Sequence, residues 1–453
     1  MKLETPRDLA LRVLNGLTHR SPFSEDALND LFQSHPDLDG REKAFVSHLV
    51  QGVLRWRLRL DWMISRSADF PMERITPGVL NILRLALFQI FFMDRVPESA
   101  AVNEAVKQAK RTQRRHVVSF VNGILRTLCR EKGEIPFPDR KRDPLLFLSI
   151  FHSYPAWLVR KWVDEWGLEF TEALLEAGNR LPHLTVRTNS LKVDRETLIQ
   201  KLQAEGVVAK PTAYSPQGVA LDPFRGKPDR LTAFEQGLFQ VQDQAAQLVS
   251  FLLAPQPGEA VLDVCAGFGG KTTHLAQLME DQGSIVALDI RLRRLIGLSS
   301  ACRRLGIRCA APIVADGTRP LASLFRSGFH RIMVDAPCSG LGVISRNPDA
   351  KWRKDKKDME RMAQLQRSIL EGAAPLLLPE GRMLYVTCTL SREENEGVVS
   401  DFLDNRSDLA LEDLRERAPE WALDLIDDQG FFRTFPHIHG MDGFFAASFT
   451  KIK

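Results

Sequence analysis

The chain has 453 residues, 44% of them hydrophobic and 26% charged. That is ordinary globular usage and enough for roughly two to four domains, which excludes a disordered chain, a collagen-like fibre and a small disulfide-stapled scaffold. The formal net charge is +4, but residues 1–150 hold 24 Lys and Arg against 18 Asp and Glu, so all of the basic excess lies in the first third.

The opening Met1-Lys2-Leu3-Glu4-Thr5 is charged and shows no secretory signal. Val79–Met93 is the most apolar stretch, yet it is too short to span a bilayer and carries Asn81, Arg84 and Gln89, so it is predicted to be a buried helix. The six cysteines show no CxxC spacing. Neither a metal site nor a disulfide framework is expected, and the thiols should be reduced, as in a cytosol.

In chain order, Thr5-Pro6 is a helix start, a hydroxyl N-cap before a proline at the first helical position. Leu9, Ala10, Val13, Leu14 and Leu17 follow at helical spacing, and further helical runs cover Ala44–Leu60, Gly78–Met93, Val102–Thr112 and Val117–Arg130. These predict an all-α bundle over residues 1–135, closed by a Pro- and charge-rich linker, Glu134–Pro144. Lys107, Lys110, Arg111, Arg114 and Arg115 form its densest basic cluster, a phosphate-contacting face or a solvated helix surface. Residues 150–235 are predicted to form a small α+β module, with helices at Ala156–Trp166, Thr171–Ala177 and Arg195–Glu205. Its strands should lie at Leu184–Asn189 and within Val207–Leu221. From 236 to 453 short apolar strands alternate with helices, the pattern of an open α/β sheet. Strands are expected at Ala260–Val264, Ile285–Leu288, Ala311–Val314, Arg331–Val334 and Arg382–Val386, with a last pair near Phe431–Phe435 and Gly443–Phe449.

The first of these strands runs into Cys265-Ala266-Gly267-Phe268-Gly269-Gly270-Lys271 and then a helix. Glycines let backbone pass close to a ligand, and a helix N-terminus favours a negative group. Asp289 ends the next strand, where a carboxylate can accept from ribose hydroxyls. A Walker A loop would need glycine at 265, which is Cys, and a dinucleotide fingerprint would need glycine at 272, which is Thr. S-adenosylmethionine fits the pattern best; a tight βα turn without ligand is the plain alternative.

Two cysteines follow strands, in Asp335-Ala336-Pro337-Cys338-Ser339-Gly340 and in Thr387-Cys388-Thr389, at the ends where open α/β sheets bind ligands. Cys129, Cys302 and Cys309 read as inert packing residues. Carbon 5 of a pyrimidine is a poor nucleophile. A thiolate added at carbon 6 makes it enamine-like, so a methyl-donor site beside a thiol suggests covalent catalysis. An acid near the ring nitrogen or the exocyclic amine would help, and Asp335 is placed to serve.

These motifs, with Ser391, Glu393-Glu394-Asn395-Glu396, Gln242-Asp243, Arg346–Trp352 and Gly440–Ala446, resemble the RNA cytosine-C5 methyltransferases. Ala101–Val106 and Phe120–Arg126 resemble the helical RNA-binding domain of the antitermination factor NusB. The resemblance implies a NusB-like helical domain, a small α+β RNA-binding module and a Rossmann-like catalytic domain, using S-adenosylmethionine to methylate cytosine 967 of 16S ribosomal RNA. It implies Cys388 as nucleophile and Cys338 as the group assisting release. Cys265–Lys271, Asp289, Asp316 and Asp335 would line the cofactor pocket, with Lys271 approaching the cytosine. Spacing alone does not choose between the thiols, because DNA cytosine methyltransferases use the cysteine after proline.

One departure stands out: the family usually has Ala-Pro where this chain has Gly267-Phe268, so a looser loop is expected. Phosphate contacts are expected from the first third and from Arg353, Lys354, Lys356, Lys357 and Arg361, a second cluster that equally reads as an exposed helix face. The target base must be unstacked or in a loop. A cytoplasmic monomer without metal or membrane is expected. Two other readings stay open here, an RNA-binding assembly factor with a silent catalytic domain and a methyltransferase of transfer RNA.

Overall fold

The computed structural model describes residues 4–17, 23–221, 224, 226–404 and 406–452; Met1-Lys2-Leu3 of the opening segment lies outside them. Contacts divide the chain into two compact units, Met1–Arg180 with Ile344–Arg353, and Leu181–Val343 with Lys354–Lys453.

The first unit is helical: α1 Pro6–Gly16, α2 Ser24–Ser34, α3 Gly40–Ser67, α4 Pro77–Phe92, α5 Glu98–Thr112, α6 Arg115–Arg130, α7 Pro144–His152, α8 Ala156–Trp166 and α9 Leu168–Asn179. Thr5 caps α1 as its sequence suggests: its hydroxyl accepts from Asp8 N–H (3.3 Å) and Asp8 accepts from Thr5 N–H (3.1 Å). Leu9, Val13, Leu49, Val53, Leu83, Leu87 and Leu125 are buried in one core. Gly52 lets α3 meet α4, since a Cβ there would lie 1.9 Å from the Phe88 ring.

The stretch expected to be a linker has no helix or strand before Pro144 and is mostly exposed, with Ile135 and Phe137 half-buried against the helical core. Trp62 Nε1 donates to Pro136 O (2.9 Å), and the Arg59 guanidinium lies over the rings of Phe137 and Phe151. The unit also takes in the distant segment 344–353. Lys351 is 0% exposed; its ammonium donates to Arg55 O (2.8 Å) and Asn179 Oδ1 (3.3 Å) and lies 3.9 Å from the centre of the Tyr154 ring. Arg55 in turn donates to Ser345 O (2.8 Å), and Trp352 Nε1 to Leu54 O (2.5 Å).

The second unit holds two sheets. The smaller is antiparallel, in order β2-β3-β1-β4, from β1 Leu184–Thr188, β2 Ala209–Pro211, β3 Gly218–Leu221 and β4 Phe239–Val241. Two helices lie among these strands in sequence, α10 Arg195–Ala204 and α11 Thr232–Glu235. The larger sheet contains β5 Ala260–Asp263, β6 Ser284–Asp289, β7 Ala310–Val314, β8 Phe329–Asp335, β9 Leu377–Thr387, β10 Leu409–Glu412, β11 Phe432–Arg433 and β12 Phe445–Lys451. Its order is β10-β12-β9-β8-β5-β6-β7, with β11 on β12. Strands β5 to β9 run parallel and β12 antiparallel to β9. The helices, in chain order, are α12 Gln244–Leu253, α13 Gly270–Leu278, α14 Leu292–Leu305, α15 Ala350–Arg353 (in the helical unit), α16 Lys356–Ala373, α17 Glu396–Leu403 and α18 Pro436–His439. The chain is thus the expected multidomain α and α/β protein. Strand β10 carries no expectation from sequence; its four residues pair antiparallel with β12.

Candidate active site

The C-terminal ends of the parallel strands gather the sequence-predicted residues. After β5 the chain turns sharply: Ala266 N–H donates to Leu288 O (2.8 Å) and Gly269 N–H to Ala266 O (2.9 Å). Gly267 (φ +58°) and Gly269 (φ +83°) are left-handed, as only glycine adopts without strain. A Cβ on Gly267 would meet nothing within 4 Å, so open space lies over the turn. The left-handed residues of the corner are Gly267 and Gly269, on either side of Phe268. Phe268 is 62% exposed, with its ring lying over α14, where a Cβ on Gly297 would come within 2.7 Å of it.

Asp289, at the end of β6, is only 5% exposed. Its Oδ2 accepts from Gly267 N–H (3.1 Å) and its Oδ1 from Arg291 N–H (2.8 Å). A carboxylate has about four acceptor sites, so lone pairs remain for hydroxyls. Asp316 follows β7, beside the end of β6, because Ala315 N–H donates to Asp289 O (3.3 Å). The Thr318 hydroxyl and N–H hold its carboxyl below the usual range. Cys265 is half-buried and faces this acidic group; burial, then Asp335, Asp263 and Asp289, push its thiol well up. It lines the turn as a neutral group. These features fit S-adenosylmethionine: backbone N–H groups and open space at a glycine corner, and a carboxylate one strand away.

Two buried groups hold this corner that sequence reasoning did not single out. Asp263 accepts from the Thr272 hydroxyl (2.6 Å), and burial pushes its carboxyl up to about 7. Arg187 of β1 is fully buried without a carboxylate partner among the described residues. It donates to Gly270 O (2.6 Å), Thr273 Oγ1 (2.9 Å), Gln277 Oε1 (2.9 Å) and Gln242 Oε1. Burial lowers its pKa to about 9. A lone Arg inside a buried strand, Leu184–Asn189, was the available signal.

The second half of the site lies on β8 and β9. Lys271, at the start of α13, forms an ion pair with Asp335 (2.7 Å) and lies 5.2 Å from the centre of the Phe444 ring. Burial opposes its charge, but Asp335 and, to a smaller degree, Cys388 hold the ammonium charged. Cys338 and Cys388, 50 positions apart, bring their sulfurs to 3.2 Å. That is hydrogen-bond range for thiols and well beyond the roughly 2.05 Å of a disulfide. Burial pushes Cys302 up to about 11 and Cys309 to about 12, as expected of packing thiols.

Of the basic residues, Lys107 pairs with Glu104 and Arg111 with Asp8, while Lys110, Arg114 and Arg115 are exposed without an ion pair among the described residues. In the second cluster Arg353 is drawn to Asp349 (3.8 Å) and packs over the Phe23 ring, leaving Lys356 and Lys357 exposed.

Residues 250–450 match the 16S rRNA methyltransferase RsmB/F family, residues 4–130 the NusB family and residues 154–225 the ferredoxin-like domain of RsmF/B-like methyltransferases. Over 452 residues, all of both chains, the sequence is 35% identical to the probable ribosomal RNA small subunit methyltransferase B of Bacillus subtilis (strain 168). The chain belongs to the ribosomal RNA small subunit methyltransferase B family. The family member of Escherichia coli O157:H7 is 31% identical over 98% of each chain. Among solved structures, PH0851 covers 99% of this chain and all of its own (TM-score 0.79, 28% identity). NSun6 from Pyrococcus horikoshii with SFG covers 67% of this chain and all of its own (TM-score 0.59, 25% identity). As a methyltransferase B family member, the protein is an S-adenosylmethionine-dependent enzyme that methylates ribosomal RNA.

Proposed function

We propose that the protein methylates carbon 5 of a cytosine, position 967 of 16S ribosomal RNA, through a covalent bond between Cys388 and carbon 6. The contact of two sulfurs at 3.2 Å, beside the Lys271–Asp335 pair, carries this reading. S-adenosylmethionine, held by Cys265–Lys271, Asp289, Asp316 and Asp335, supplies an electrophilic sulfonium methyl for carbon 5. The Cys388 thiolate adds to carbon 6, and the displaced electron pair moves through the ring. Lys271 carries the proton of its ion pair, so it faces the ring nitrogen that gains charge; Asp335 accepts from the exocyclic amine. After methyl transfer carbon 5 gives its proton to solvent, the sulfur–carbon 6 bond breaks, and its electrons return to Cys388. Cys338 assists that departure.

Two free thiols at the reacting centre suit the reducing cytoplasm. The target must leave its stack to reach the sheet edge. Lys110, Arg114, Arg115, Lys356 and Lys357 offer phosphate contacts, so RNA binding should weaken steeply with salt. A denaturing gel tests the chemistry. Cys338→Ala should accumulate a protein–RNA adduct that vanishes in the Cys338→Ala/Cys388→Ala double variant. An adduct that accumulates in Cys388→Ala alone, with Cys338 kept, reverses the roles.

A further inference from the structure

Glu394 is 0% exposed and lies between the turns that carry the two sulfurs. Its Oε2 accepts from Ser339 N–H (2.8 Å), next to Cys338, and from Gln366 Nε2 (3.0 Å). Gln366 Nε2 also donates to Pro337 O (2.9 Å). On the other side Thr389, next to Cys388, shares a 2.7 Å hydroxyl–hydroxyl hydrogen bond with Ser339. Asn395 Nδ2 donates to Thr389 O (3.1 Å), and the Thr387 hydroxyl to Asn395 Oδ1 (2.6 Å). The Tyr385 hydroxyl donates to Glu394 O (2.6 Å). Two N–H groups converge on Oε2, so that oxygen carries no proton. Glu394 makes no ion pair among the described residues; burial raises its carboxyl above the usual range, opposed by the hydrogen bonds from Ser339 and Gln366 and, less, by the Lys354 charge.

We propose that the buried Glu394 carboxylate assigns the two sulfurs their roles, holding Cys338 as a thiol that donates to Cys388. The proposal rests on the reading of Cys388 as nucleophile and adds what selects it. The surroundings are asymmetric. Cys338 faces Cys388, Glu394 and the Tyr385 phenol, whereas Cys388 faces the Lys271 ammonium. The hydrogen bond to Cys388, then burial, then the charge of Cys388 and, after these, the Glu394 charge push the Cys338 thiol well up. When the bond between Cys388 and carbon 6 breaks, its electron pair returns to a sulfur that already accepts the Cys338 S–H. The leaving thiolate is stabilised without a further proton transfer. Glu394 is therefore a positioning residue: it acts through Cys338.

The test is thiol titration in the full-length chain. In Cys388→Ala, alkylation of Cys338 by iodoacetamide is followed by mass spectrometry across pH. Adding Glu394→Gln should lower the midpoint by about one pH unit, a ten-fold change in thiolate at fixed pH. Adding Glu394→Asp, which keeps the charge, should leave the midpoint at the Cys388→Ala value. An unmoved midpoint with Gln, or an equal fall with Asp, overturns the proposal. The unsubstituted protein gives a check that needs no variant to fold. Limiting iodoacetamide at neutral pH should label Cys388 at least about ten-fold over Cys338, and equal labelling overturns the proposal. Neither result depends on the adduct gel, so failure of the nucleophile reading is seen separately.

Discussion

The donor end of the large sheet is an open glycine turn backed by a few buried side chains, Asp263, Asp289 and Arg187, and the acceptor end is a closed network of side chains. Around Gly267–Gly270 the turn is set by main-chain hydrogen bonds and left-handed glycines, with open space over Gly267 and an exposed Phe268. Around Cys338 and Cys388, Ser339, Gln366, Thr387, Thr389, Glu394 and Asn395 are buried and bonded to one another. A small cofactor that enters and leaves needs an accessible corner that is already shaped. Covalent chemistry between sulfur and carbon needs two groups fixed at contact distance, which a closed polar network achieves at the cost of accessibility.

Removing the centre of the acceptor end is expected to have the largest effect. Cys388→Ala should abolish methyl transfer to unmodified ribosomal RNA while calorimetry shows S-adenosylmethionine binding unchanged. Coupled loss of both would mean that the two ends are not separable. Next comes Arg187→Met, which withdraws the donors that fix the first turn of α13. A loss of about 2–3 kcal/mol is expected from broken charge-assisted hydrogen bonds, read as a lower denaturation midpoint together with weaker cofactor binding. Unaltered cofactor affinity would confine Arg187 to holding β1 in place. Asp289→Ala should weaken cofactor binding by about 1–3 kcal/mol through lost buried hydrogen bonds, without changing adduct formation in pre-mixed samples of Cys338→Ala. The smallest change is Gly267→Ala. It has room for a methyl group but not the backbone angle, so it should cost about 1 kcal/mol of stability. An unchanged midpoint would show that the corner relaxes.

Much of the catalytic domain was legible because its signals are local. Apolar runs bounded by glycine gave β5, β6 and β8 to within two residues at each end, and the cysteines were found by their position just past strand ends. Asp289 and Lys271 were found in the same way. Arg187 was not, and Glu394 and Phe444 were visible as motif residues without their contacts, because their partners lie elsewhere in the chain. Arg187 meets Gly270, 83 positions on; Glu394 meets Ser339, 55 positions back. The same holds for Lys351, whose segment Arg346–Trp352 was visible as a motif while its burial beside Arg55 and Asn179 was not.

The sequence by itself determined the helical first third, the alternating strands and helices of the catalytic part, the glycine corner and the pair of cysteines, since periodicity, capping and glycine preference act over a few residues. Only the tertiary structure decided that the two sulfurs touch, that one buried arginine steadies the cofactor corner and that one buried carboxylate sits behind Cys338. Those depend on which distant atoms share a low-dielectric interior, where an unpaired polar group is too costly to leave without a partner.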